Sequence, residues 1–137
     1  MVEQTPHSPI RIPPQNIEGE KALLGSIMIS PETIYDVSDI VSGHSFYSNK
    51  HRVIFQAMMD VHSKNDPIDL LSVSSRLSEK KQLEQVGGRA YLTDIVSSVP
   101  SASNARNYAT MIQKKYVLRT LIEASEFIGD LGFNEED

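Results

Sequence analysis

From Ser103 to Leu131 the chain contains no proline, and no glycine before Gly129. Along that stretch Tyr108, Ile112, Tyr116, Leu118, Leu121, Ile122, Ile128 and Leu131 recur at helical spacing. The pattern predicts one long helix. At 1.5 Å per residue it would extend about 40 Å, whereas the roughly 100 residues before it would fold into a globule with a radius of gyration near 13 Å. Its own domain cannot cover a rod of that length, so part of its apolar side is expected to meet another surface.

The charges on this segment are segregated. Residues 101–119 hold Arg106, Lys114, Lys115 and Arg119 with no acid, and residues 120–137 hold Glu123, Glu126, Asp130, Glu135, Glu136 and Asp137 with no base. Positive charge early and negative charge late opposes the helix dipole, at some tenths of a kcal/mol per terminal charge. An antiparallel helix of the same polarity would set the basic half against the acidic half. A solvated charged face explains the pattern equally well, and both readings stay open. The ending "GFNEED" offers Asn134 as a cap and acids for a first turn. A helix start without its helix is the expectation for a fragment of something longer.

Upstream, apolar residues again recur at helical spacing, and the alternating β-branched runs of strands are missing. Asn16 is placed to cap a first helix carrying Ile17, Ala22, Leu23, Leu24, Ile27 and Met28, with Glu18 and Glu20 in its first turn. Ser30-Pro31-Glu32 opens a second, carrying Ile34, Tyr35, Val37, Ile40 and Val41 and ending at Gly43. A third follows Ser48, with Val53, Ile54, Ala57, Met58 and Val61 as its stripe, and Asn65-Asp66-Pro67 closes it. Asp69 caps a fourth, from Leu70 to about Lys80, that buries Leu71, Val73 and Leu77. A fifth, with Ala90, Tyr91, Leu92, Ile95 and Val96, lies between Gly87-Gly88 and Pro100. The fold class is all-α: a compact bundle of about five helices followed by a long one.

With 137 residues, 39% hydrophobic and 23% charged, the chain fits one globular domain. No apolar run reaches the roughly 20 residues that cross a bilayer, and "MVEQTPHSPIRIPPQ" lacks the features of a signal peptide. No membrane partner is expected. The absence of cysteine removes thiolate chemistry and favours an intracellular, cytoplasmic protein. A formal net charge of −5 argues against a general nucleic-acid coat.

Candidate chemistry is thin. "VGGRA" lacks the Gly-Lys-Ser/Thr ending and preceding strand of a phosphate-binding loop, so the glycine pair reads as a corner between helices. His7, His44, His51 and His62 read as surface or loop histidines, because His51 and His62 would stand about 16 Å apart on a helix and share no ion. No Gly-x-Ser-x-Gly elbow occurs. Asp66 and Asp69 are explained by turn and cap chemistry. No catalytic, cofactor-binding or metal residue is assigned. Arg106, Lys114, Lys115 and Arg119 on a protruding helix support the alternative of a helical nucleic-acid-binding module.

Taken in order, "RIPPQNIEGEKALLGSIM", "FYSNKHRVIFQAM", "DPIDLLSVSSRL" and "LEQVGGRAYLTDIVSSVPSASNARNYATMIQKKYVLRTLIEA" resemble the N-terminal domain of the DnaB-type replicative DNA helicases. The resemblance implies a small helical head followed by a helical hairpin that dimerises, forming a collar on a hexameric ring. It also implies primase as a partner and, in some lineages, helicase loader proteins. ATP, Mg and most DNA contacts would belong to a separate motor domain, whose Walker motif this sequence lacks. Residues 1–14 read as a flexible, proline-punctuated lead-in; on the family's pattern 15–100 are the head and 101–137 the first hairpin arm with the truncated start of the second. Tyr116, Leu118, Arg119, Leu121 and Ile122 are then the candidate partner interface.

Overall fold

The computed structural model describes residues 11–135. The expected flexible lead-in lies outside them as far as residue 10, as do His7, Glu136 and Asp137. Among the described residues the chain forms six α-helices and no strand: α1 (Ile17–Ile29), α2 (Thr33–Val37), α3 (Asn49–Ser63), α4 (Leu70–Glu79), α5 (Gly88–Ser97) and α6 (Ala105–Phe133), with a 3₁₀ turn at Gly43–Ser45 between α2 and α3. The all-α expectation holds.

Capping explains where several helices begin. The Asn16 side chain accepts the Gly19 N–H at 2.8 Å, satisfying one of the orphan donors of α1. Asp69 and Ser72 cap α4 reciprocally: the Asp69 carboxylate accepts the Ser72 N–H at 2.8 Å, and Ser72 Oγ accepts the Asp69 N–H at 3.0 Å. Gly87 and Gly88 adopt φ of +104° and +71°, and α5 starts there, so the glycine pair is a corner between helices. A side chain at Gly88 would meet open space, so only the backbone opposes it. Gly88→Val is expected to cost about 1–2 kcal/mol through the left-handed conformation alone. The melting temperature should fall by several degrees, and an unchanged one would contradict the corner.

Two expectations need correction. Ser30 ends α1, its N–H bonding the Ser26 carbonyl at 3.0 Å, and only a turn leads on from it, its own carbonyl accepting the Thr33 N–H at 2.9 Å. α2 begins at Thr33 and lasts only to Val37. The N–H groups of Ile40 and Val41 then both bond the Val37 carbonyl, at 2.9 and 3.1 Å, so the chain continues as turns and Gly43 opens the 3₁₀ turn. Leu71, expected in the core, is 64% exposed. The inward stripe of α4 is Leu70, Val73, Ser74 and Leu77, whose spacing leaves Leu71 outside.

α1 is the central strut. It packs against α6, α5 and α3, and Leu23, Leu24 and Ile27 are fully buried with Ile34, Phe46, Ile54, Met58, Leu77, Leu92 and Ile95. From α6 only Ala105, Ala109 and Ile112 join this core, and Arg119 is the last buried residue of the helix. At 29 residues α6 is about 44 Å long. Residues 121–135 are exposed throughout.

Candidate partner interface

One stripe of α6 faces the head. Ala105, Ala109, Ile112, Tyr116 and Arg119 are spaced by four and three in alternation, which keeps them on one side of a helix. The outer end of that stripe is fastened by polar contacts. Gln113 Oε1 accepts from Ser45 Oγ at 2.7 Å. The Arg119 guanidinium donates to the Ser45 carbonyl at 2.9 Å and to the Pro14 carbonyl at 2.8 Å. Its carbon lies 5.4 Å from the Tyr47 ring centre and 5.8 Å from that of Tyr116, within the range of cation–π attraction. One arginine thus ties α6 to both the 3₁₀ turn and the segment before α1.

Beyond this staple the helix is uncovered. Leu121 is 60% exposed, Ile128 66% and Phe133 89%, and Leu118, Ile122, Phe127 and Leu131 are exposed with them. Leu118, Leu121, Ile122 and Ile128 fall at offsets of zero, three, four and ten, the spacing of a seam that packs on another helix. The five candidate residues therefore divide. Leu118, Leu121 and Ile122 lie on the open edge; Tyr116 is half-buried, and Arg119 is spent inside the chain. Between the Ile12–Pro14 segment and Ile122 runs a groove of about 680 Å³, floored by Tyr47 and Arg119 and edged by Glu123 and Glu126. Phe127 and Phe133 extend the apolar surface beyond the candidate residues.

The basic cluster is weaker than the sequence suggested. Arg119 is buried, and Arg106 donates to the Asp36 carbonyl and stands 4.0 Å from Asp39. Lys114 and Lys115 make no side-chain bond or ion pair among the described residues.

Beneath the surface lies a cluster the sequence reading missed. Glu20 and His51 are buried, at 1% and 0% exposure. Glu20 accepts the Tyr47 N–H at 2.6 Å and the Ser48 N–H at 3.3 Å, and stands 2.8 Å from His51 Nδ1. His51 Nε2 lies 2.7 Å from the Tyr91 hydroxyl. With a proton on Nδ1 directed at the carboxylate, Nε2 accepts from Tyr91 and every group is satisfied. His51 is thus a core residue, contrary to the surface reading. Burial pushes the Tyr91 hydroxyl above its ordinary pKa. Lys21, bonded to Asp94 at 2.6 Å, is held above its own. On the far side, burial pushes Asp60 up, but hydrogen bonds from Gln56, Arg76 and Lys80 outweigh it and hold the carboxyl below the usual aspartate range. Asp60 joins α3 to α4 through Arg76 at 2.9 Å and Lys80 at 3.3 Å.

The Gly87-Gly88 corner does not have the form of a nucleotide-binding loop. Gly87-Gly88 follows a helical turn and leads to Arg89 rather than lysine, and among the described residues no group of three or more His, Cys, Asp or Glu could hold an ion. Among them, too, no helix is long and apolar enough to cross a membrane.

A bundle with polar pins in its core and one long helix left open along its outer half defines a class of all-helical domain. The chain belongs to the family of DnaB-like helicase N-terminal domains, whose family model matches residues 12–114. It is 41% identical over 127 residues to the replicative DNA helicase DnaC of Bacillus subtilis, covering 93% of this chain and 28% of that relative. It therefore spans about a quarter of that helicase's length. The crystal structure of the N-terminal domain of DnaB helicase from Mycobacterium tuberculosis superposes with a TM-score of 0.86 and 32% identity, covering 89% of this chain and 88% of that one. A DnaB-like replicative helicase described with its interactions with primase superposes at 0.75 and 29% identity, covering 87% and 28%.

Proposed function

We propose that this chain is a non-catalytic assembly and docking domain of a replicative DNA helicase. It helps organise a hexameric ring by pairing the outer half of α6 with a second helix. It offers a surface to primase, and to loader proteins where a lineage uses them. Unwinding, ATP and Mg belong to the motor domain of the cytoplasmic parent protein. The observation that carries the reading is the apolar edge of α6, from Leu118 to Leu131, which no part of the described chain covers. The full length of the Bacillus subtilis relative supports it, since most of that helicase lies outside the matched region. So does the solved helicase described with primase.

Light scattering tests this on the present chain beside a longer one that continues for a further segment the length of α6. The longer chain is expected to dimerise, and Leu121→Arg with Ile128→Arg to return it to monomers. Both residues are exposed, so on the present chain the same substitutions should change stability by no more than about 0.5 kcal/mol. A longer chain that stays monomeric at high concentration would remove α6 as the association element. Titrating primase into the same samples reads docking, and no binding to either length would take primase out of the reading.

A further inference from the structure

A second cavity, of about 500 Å³, shares Arg52 with the α6 groove. His44, Arg52, Lys80 and Gln82 line it together with Ser42 and Gln56, and none of its lining residues is acidic. In a chain of net charge −5 a concavity whose lining holds Arg52 and Lys80 and no acid is unusual, although Lys80 and Gln56 both reach the Asp60 carboxylate behind the wall.

Arg52 is fixed for the purpose. Its Nε donates to the Phe46 carbonyl at 2.7 Å, which orients the guanidinium while leaving its terminal amino groups without a partner among the described residues. Lys80 makes one long contact, 3.3 Å, to an Asp60 carboxylate that already holds Arg76 at 2.9 Å. The Gln82 amide supplies a separate observation. Its Oε1 is the one buried side-chain oxygen or nitrogen among the described residues with no hydrogen-bond partner. Such a group costs about 1–3 kcal/mol when left unmet. That oxygen is itself closed to solvent, so the Gln82 side chain is a reporter beside the cavity rather than a ligand to its occupant.

We propose that this cavity binds a phosphoryl group, presented by a nucleic-acid strand or by a small phosphorylated ligand. A planar guanidinium fork with an ammonium and the Ser42 hydroxyl in one cavity lining suits a tetrahedral anion with three or four oxygens better than a flat carboxylate. The cavity's volume suits a small ligand, and its open mouth also admits a strand. Glu123 and Glu126 line the neighbouring groove together with Arg52, but neither carboxylate stands within ion-pair distance of it.

The test is a titration of the ¹⁵N-labelled chain with pyrophosphate and, separately, with an oligothymidylate, following the Gln82 side-chain amide. Pyrophosphate is expected to move that resonance. Arg52→Gln and Lys80→Gln should each weaken the effect about tenfold, while Arg89→Gln, an exposed arginine of α5 that does not line the cavity, leaves it unchanged. If the oligonucleotide moves the same resonance, and more salt weakens it, the strand is the source; a response to pyrophosphate alone assigns a small ligand. Should Arg52→Gln fail to fold, Lys80→Gln decides. A Gln82 amide that ignores both probes, or affinities equal to wild type in the folded variants, overturns the proposal.

Discussion

Glu20→Ala is expected to destabilise the domain by about 3–5 kcal/mol, enough to unfold much of it at moderate temperature. The carboxylate is 1% exposed and is the acceptor for the Tyr47 and Ser48 N–H groups and the His51 ring. Ser48 precedes α3 but makes no side-chain capping bond, so a residue of α1 satisfies the start of α3 from across the core. Removing it leaves three buried donors unmet, each costing about 1–3 kcal/mol, and opens a void as well. Glu20→Gln keeps the shape and one acceptor, and should fall between alanine and wild type. Urea unfolding of the two variants, with His51→Ala and the double mutant, measures the coupling. In contact, the two alanine substitutions should depart from additivity by about 0.5–3 kcal/mol. A loss below about 1 kcal/mol for Glu20→Ala would mean that water satisfies these donors and that the cluster is no pin.

What was legible in the sequence was local. The long helix announces itself by an absence of breakers, Asn16 and Asp69 by their place before apolar runs, and the Gly87-Gly88 corner by two residues that accept positive φ. The buried cluster was not legible in that way, because its bonds join positions 31 and 40 apart. A signal was nonetheless present. Glu20 shares a face with Leu23, Leu24 and Ile27, and His51 with Ile54, Phe55 and Met58, all at offsets of three, four and seven. A polar residue at the head of a buried stripe must find a partner there. The same rule separates the candidate interface: Arg119 continues the Ala105–Ile112 stripe and turns inward, while Leu118, Leu121 and Ile122 fall off it and stay open. By charge alone Glu20 reads as a first-turn acid and Arg119 as a free cation, but the helix face on which each lies turns it inward. Pairing of α6 with a second helix cannot be read from one chain's periodicity, since an apolar seam and a solvated edge look alike until coverage is known.

Gly25→Val is expected to cost about 3 kcal/mol or more, although replacing a mid-helix glycine ordinarily helps a helix by roughly 0.5–1 kcal/mol. Space decides the sign. A Cβ at Gly25 would sit 2.6 Å from the Ile95 carbonyl oxygen and 2.8 Å from Val99 Cγ2. That carbonyl cannot swing aside cheaply, because it accepts Ser98 Oγ at 2.8 Å and the Ser98 N–H at 3.3 Å, which together close the last turn of α5. α1 and α5 must separate instead, and because α1 also packs on α6, the displacement reaches the base from which the long helix projects. Gly25→Ala should already destabilise, and valine more so. Gly129→Ala, in the uncovered half of α6 with nothing within 4 Å, is the control: its propensity gain meets no obstacle, so the melting temperature should hold or rise slightly. Thermal unfolding of the three variants separates the effects. A Gly25→Ala variant as stable as wild type would mean that α1 and α5 do not meet backbone to backbone, and the α1 strut would lose its claim to set the direction of α6.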